Sequence, residues 1–217
     1  MNPRSESVTI AGPAGTLQCA VDHPDEDRTG SRRGSAVFCH PHPLYGGTMS
    51  NKVVVTLARA FVQMGYVAVR FNFRGIGSSA GRWDEGRGEI DDALAVVAAL
   101  RRPGPFVLGG FSFGGYVASQ AAARLAARGE AASRLVLVAP AAQNFALADV
   151  PADTLVVHGE SDDVVALAAV FDWARPLALP VTVIPGAGHF FHGQITLLKT
   201  VVQRAWNFPP LPGTSDA

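Results

Sequence analysis

Along this chain, apolar runs that leave no residue for water recur, and stretches of helical periodicity separate them. SAVFCH (35–40), YVAVRFNF (66–73), FVLGGF (106–111), RLVLVAPA (134–141), TLVVHGE (154–160) and VTVIPGAG (181–188) are apolar at consecutive rather than alternate positions. Strands of that kind must be covered on both faces, which a parallel sheet with crossover helices achieves. Helical spacing is read over 52–64, 89–100, 113–128, 164–173 and 190–206, with acidic residues in the first turn of the second stretch, where the helix dipole favours them. Ahead of this series, SVTIAG and TLQCAV read as a hairpin joined between Gly12 and Gly15, and DHPDEDRTGSRRG as a polar loop.

Composition agrees with a large, doubly covered core. Hydrophobic residues make up 48% and charged residues 17%, against about 25% charged in an average domain. A formal net charge of +0 gives no basic footprint for nucleic acid. The longest apolar run, at 135–142, is far short of the roughly 20 residues of a spanning helix. MNPRSESVTI has no apolar signal core, and the two cysteines, Cys19 and Cys39, lie inside strand-like runs as buried thiols. A reduced cytoplasmic compartment is the expectation. With no composition break, repeat or linker, 1–217 reads as one domain, with 1–5 and 209–217 as flexible ends.

One junction carries chemistry. VLGGFSFGGY (107–116) sets Ser112 where an apolar strand passes into a helix, in the pattern G-x-S-x-G. In a doubly wound sheet, ligands bind beyond the carboxyl ends of the strands. A serine exposed there needs a sharp, strained turn, the nucleophile elbow, and Gly110 and Gly114 remove side chains that would collide. The helix start then offers free N–H groups, the first from Phe113, to a developing oxyanion. The alternative is an ordinary glycine-rich turn with a capping serine.

A serine hydroxyl needs a base, and the base needs a carboxylate to hold its tautomer. In this topology the acid and then the histidine follow on later strands. HGESDDVV offers Glu160, Asp162 and Asp163, with helix capping as the alternative role for either aspartate. GAGHFFHG offers His189, which leaves its strand on small residues, and His192, a turn later in the expected helix; His158 lies inside a strand and reads as packed.

HPHPLYGG (40–47) should supply a second oxyanion donor. Pro41 and Pro43 have no N–H, which leaves His42, Leu44 or Tyr45. A metal reading of His40 and His42 lacks a third ligand at suitable spacing, and none is expected. Cys39 and His40, adjacent in a strand, point to opposite faces and do not form a nucleophile–base pair. Asn51 and Lys52 hold the loop or the helix end. NFRGIGSSAG (72–81) matches no phosphate-binding pattern and reads as a loop in which Asn72 and Arg74 brace the site, with Asp84 and Glu89 as partners.

Taken together, HPHPLYGG, FNFRGIGSS, GFSFGG and the order Ser112, Asp162, His189 resemble the α/β-hydrolase superfamily, in a branch of small bacterial serine hydrolases related to dienelactone hydrolase. The resemblance runs from about Ser35 to Phe208. It implies an α/β-hydrolase fold with a mostly parallel, eight-stranded sheet, helices on both faces, and ester hydrolysis without metal or cofactor. It assigns the acid to Asp162, through H-G-x-x-D-x-x-V, and the second oxyanion donor to His42, with Leu44 next. The chain departs from the dienelactone pattern in carrying serine rather than cysteine at position 112, which points towards ordinary esters. The short connection QNFALADVPAD (143–153) stands where many relatives insert a helical lid, so no cap domain and an open site are expected.

The expected reaction is cleavage of a small-molecule ester through an acyl-enzyme on the Ser112–His189–Asp162 catalytic triad. Pocket walls are sought among Leu44, Tyr45, Phe113, Phe145, Phe190 and Phe191, each of which could equally be core; Phe111 is read as core. The same residues would serve a thioesterase, a peptidase or an acyltransferase. In a different class stands a non-catalytic module that binds an acyl ligand or a partner.

Overall fold

The computed structural model describes residues 4–25 and 33–207. Strands β1 (Arg4–Gly12) and β2 (Gly15–His23) form the expected hairpin, longer at its open end than the sequence suggested. Arg4 and Ser5 pair with His23 and Asp22, so they are strand rather than loose terminus; 1–3 and 208–217 lie outside the described residues. The apolar runs become β3 (Gly34–Cys39), β4 (Tyr66–Phe71), β5 (Phe106–Phe111), β6 (Arg134–Val138), β7 (Leu155–Gly159) and β8 (Val181–Ile184).

One 8-stranded sheet has the order β1-β2-β4-β3-β5-β6-β7-β8. Pairing is antiparallel at β1–β2 and β2–β4 and parallel from β4 through β8. Every residue of β3, β4, β5 and β7 is buried, as strands covered on both faces require, while the edge strand β8 is only partly covered. Along β5, Val107 and Phe111 enter one core with Phe61 and Leu198, and Phe106 and Leu108 the opposite core with Val96 and Val117. That period of two follows from the pleat.

Helices α1 (Lys52–Gln63) and α5 (Ile195–Asn207) cover the first face, and α2 (Arg87–Leu100) and α3 (Phe113–Ala126) the second; α4 (Leu167–Ala174) packs beside β7. Two helices start later than periodicity implied. Residues 162–165 are held in a turn on the Asp162 side chain, so α4 waits until Leu167. Before α5, Phe191 (φ 52) and Gly193 (φ 74) are left-handed, which no right-handed helix accepts. His192 therefore stands in that turn and not in the helix. No helix fills the chain between β6 and β7, so there is no cap. Among the described residues no helix is long and apolar enough to cross a membrane.

The chain leaves β3 for β4 on one side, then returns across the sheet to β5 on the other. The carboxyl ends of β3 and β5 thus flank a topological switch point, where open α/β sheets hold ligands. The loop after β4 is fixed behind it. Arg74 clasps Asp92 of α2 through both guanidinium arms, at 3.0 and 2.8 Å, and its N–H donates to the same carboxylate. Asp92, not Asp84 or Glu89, is the direct partner of Arg74. Glu89 instead accepts the N–H groups of Asp84 and Gly86 at the start of α2. The signal for Asp92 was present, since it falls on the apolar face of α2 with Glu89, Ala93 and Val96, all buried.

Asp92→Ala leaves a buried guanidinium without its counter-ion, and is expected to destabilise the fold by about 3–5 kcal/mol in urea unfolding. Asp92→Asn, which keeps one acceptor, should cost less.

Candidate active site

The turn between β5 and α3 holds Ser112 at φ 57 and ψ −120, a conformation that costs an L-residue strain. Main-chain bonds hold it there: Ser112 N–H donates to Val138 O at 2.9 Å, and Ser112 O accepts from Gly115 N–H at 2.8 Å and Ala141 N–H at 3.2 Å. The flanking glycines answer close contacts. A Cβ on Gly110 would strike the Gly114 carbonyl, and one on Gly114 would strike the carbonyl of Cys39 at the end of β3.

This turn points Ser112 Oγ at His189, whose Nε2 lies 3.0 Å away; His189 Nδ1 lies 2.8 Å from Asp162 Oδ2. The Asp162 side chain is fully buried. Burial by itself would raise its pKa, but the imidazole and the N–H groups of Val165 and Val164 outweigh it and hold the carboxyl below its ordinary value. The structure therefore brings Ser112, His189 and Asp162 together. Of the rival acids, Glu160 accepts Gly186 N–H at 2.8 Å and ties the acid loop to the histidine loop, while Asp163 is exposed. His192 is exposed, against Phe190 rather than Ser112.

Asp162 makes the contacts that both readings call for. Oδ2 faces His189, and Oδ1 accepts Val164 and Val165 N–H at 2.9 and 2.8 Å, closing the turn ahead of α4. Phe111 goes beyond core packing as well, because its ring lies 4.8 Å from that of His189, with Phe190 5.0 Å away.

The loop after β3 wraps into a short 3-10 turn, Pro43–Tyr45. Leu44 N–H donates to His42 Nδ1 at 3.2 Å and is thereby engaged. The N–H groups of His42 and Phe113 donate to no acceptor among the described residues. The His42 ring is bounded by those of Tyr45, Trp83 and Phe113, and this partial burial lowers its pKa. Of the expected wall residues, Leu44 is 63% exposed, Tyr45 86% and Phe190 44%, so none of the three is enclosed. Phe145 is half-buried, whereas the Phe113 and Phe191 side chains are core.

His40 spends both ring nitrogens on the main chain: Nδ1–H donates to Pro41 O at 2.6 Å and Nε2 accepts Phe73 N–H at 3.1 Å. It is a tie between two loops. Asn72 extends the tie, accepting Met49 N–H at 2.8 Å and donating to Gln18 at 2.8 Å. Asn51 caps α1 through Val53 N–H. Both cysteines are buried thiols; burial raises Cys19 to about 12 and Cys39 further.

The thioesterase-domain family matches residues 90–161, a stretch that includes Ser112. A solved α/β serine hydrolase without a lid from Xanthomonas campestris is 40% identical, over 96% of this chain and 97% of that one, with a TM-score of 0.85. An α/β serine hydrolase homologue from Coxiella burnetii is 37% identical, over 92% and 96%, with a TM-score of 0.81. An uncharacterised Rickettsia prowazekii protein is 34% identical over 173 residues, which is 72% of this chain and 71% of the relative.

The His40 tie has a pH signature. Burial lowers its pKa from 6.5 to about 4, against the raising effect of Pro41 O. Between those values the unfolded chain binds more protons than the folded one, so stability falls as pH drops, by roughly 3 kcal/mol from this group. His40→Gln should remove that part of the slope, read as a smaller difference between urea unfolding at pH 7 and at pH 4.5.

Proposed function

This chain belongs to the lid-less α/β serine hydrolases, and from that premise we propose that it cleaves small carboxylic esters through an acyl-enzyme on Ser112. One observation carries the reading: an unbroken line of hydrogen-bonding distances from Ser112 Oγ through the His189 ring to the buried Asp162 carboxylate. A capping serine has no use for a histidine so held.

As Ser112 Oγ attacks the ester carbonyl, His189 Nε2 takes its proton and Asp162 steadies the resulting imidazolium. The carbonyl oxygen becomes an oxyanion, received by the N–H groups of Phe113 and His42, each worth about 3 kcal/mol in the transition state. His42 is favoured over Leu44 because the Leu44 N–H is already bonded. Collapse breaks the bond to the leaving oxygen, and His189 gives that oxygen its proton as the alcohol departs. Water then attacks the acyl-enzyme, losing a proton to His189. The second collapse frees Ser112, which recovers the proton, and releases the carboxylic acid.

Exposed Leu44, Tyr45 and Phe190, with no cap domain, favour small soluble substrates over lipid at an interface. A thioester is the second reading, favoured by the thioesterase-domain match across the nucleophile turn. The same acyl-enzyme would form, with a thiol as leaving group. A cytoplasmic setting goes with both, since Cys19 and Cys39 are free thiols.

A nitrophenyl-ester series of increasing acyl length is expected to favour short chains, and a fluorophosphonate to label Ser112 at neutral pH. Ser112→Ala should lower kcat by at least ~10⁴-fold and abolish labelling; Asp162→Asn should lower kcat by about 10⁴-fold. Unlabelled wild-type protein, or activity surviving in Ser112→Ala, would remove the serine from the chemistry. A much higher kcat/KM for matched thioesters would decide for the second reading.

A further inference from the structure

One imidazole near this site has no part in the reaction above. His158, in β7, is fully buried, with its Nε2 2.9 Å from the carbonyl oxygen of Val165 and 3.4 Å from Asp162 Oδ2. Val165 is the residue whose N–H binds the other oxygen of Asp162. A carbonyl can only accept, so Nε2 carries the hydrogen. Nδ1 is then a bare acceptor, buried and without a donor among the described residues. An apolar side chain of similar bulk would fill the space with no orphaned nitrogen. The cost of keeping an imidazole here calls for a return elsewhere.

We propose that His158 is a positioning residue for the acid of the triad: its Nε2–H grips the 162–165 turn and sets a donor dipole against the same Asp162 oxygen that receives His189. This rests on the reading of Asp162 and His189 given above. The grip fixes where the carboxylate sits, and the dipole tempers how strongly it holds the protonated His189 ring. Such a role requires a neutral ring. Burial lowers the His158 pKa, and the ionisable groups acting on it are Asp162, which pulls it up, and His189, which pushes it down. A charged His158 would repel the imidazolium that forms on His189 and compete with it for Asp162.

The contact also explains how the two Asp162 oxygens divide their work. Oδ1 is fully used by Val164 and Val165 N–H, and only Oδ2 is open to tuning. Both rings approach that oxygen, at 2.8 Å from His189 and 3.4 Å from His158. The shorter contact holds the base, and the longer one offsets the charge the base sees.

The test compares His158→Phe, which keeps bulk and loses the donor, with His158→Gln, whose amide nitrogen can stand where Nε2 stands. The main readout is the His189 pKa from imidazole NMR titration, which does not depend on turnover, and fluorophosphonate labelling and ester kinetics run beside it. In His158→Phe the pKa of His189 should rise by about half a unit or more, because Asp162 is relieved of a donor. The acid limb of kcat/KM should move the same way, and kcat should fall ~10-fold or more with KM little changed. His158→Gln should restore both. An unshifted or lowered His189 pKa in His158→Phe overturns the proposal, even if kcat falls, since a merely structural role would loosen the pair. So does a Gln variant indistinguishable from Phe. If His158→Phe does not fold, His158→Asn, too short to reach Val165 O, replaces it in the same comparison. Unlabelled wild-type protein would instead strike at the acyl-enzyme reading, while the NMR shift still decides on His158.

Discussion

The left-handed turn at Ser112 is the constraint on which the rest of the site depends. An L-residue keeps φ 57 and ψ −120 only where its surroundings overdetermine it. Here main-chain bonds to Val138, Gly115 and Ala141 do so; those to Val138 and Ala141 rest on β6 lying beside β5 in register, and that to Gly115 on the first turn of α3. The Cβ space denied at Gly110 and Gly114 sets how closely the start of α3 approaches β5 and the end of β3. Because β3 runs parallel to β5, the loop after β3, and with it His42, stands at the same end of the sheet as Ser112. Relaxing this turn would shift the hydroxyl, the Phe113 N–H and the loop together.

Polar groups buried behind the site work to hold loops, and each does so by completing a main-chain bond that the sheet leaves open. His40 joins the chain after β3 to the chain after β4, Asn72 reaches both Met49 and Gln18, and Arg74 locks onto Asp92. Unpaired buried main-chain groups are costly, so loops that cannot form ladders recruit side chains instead. The HPHP and FNFRG stretches carry most of these ties. Within them His40, Asn72 and Arg74 answer unpaired donors and acceptors at the edge of the core, while the His42 N–H has no acceptor among the described residues.

Much of this was legible in the sequence, because it follows from periodicity and order. Consecutively apolar runs called for a parallel sheet, and β5 was read to its end residues because an aromatic, two glycines and a serine mark its exit. Ser112, an acid and His189 could be placed after β5, β7 and β8 because topology dictates their order, and the family resemblance picked Asp162 from the three acids. What could not be read depended on side-chain direction. Nothing in the order of Asp84, Glu89 and Asp92 says which faces Arg74, except that Asp92 shares the apolar stripe of α2. The start of α5 was placed early because Phe190 and Phe191 fit helical spacing, while the positive φ of Phe191 is a tertiary demand that spacing does not record. His158 was read as packing, and its contact with Asp162 arises from how the 162–165 turn folds back over β7.

Asp162 and His189 stand on one stitched pair of loops, and Ser112 on the turn after β5. The loops after β7 and β8 are stitched by Glu160 N–H to Ile184 O at 3.0 Å, Ser161 N–H to Ala187 O at 2.9 Å and Gly186 N–H to the Glu160 carboxylate at 2.8 Å. Asp162 and His189 ride on that stitched pair, whereas Ser112 is anchored to β6. Within the one sheet, where β6 pairs with β7, the two meet through the contact of 3.0 Å between Ser112 Oγ and His189 Nε2 and the Phe111 ring against the imidazole at 4.8 Å. Phe111 ends β5 one residue before the strained turn, so the strand that presents the hydroxyl also presents a buried ring against the imidazole.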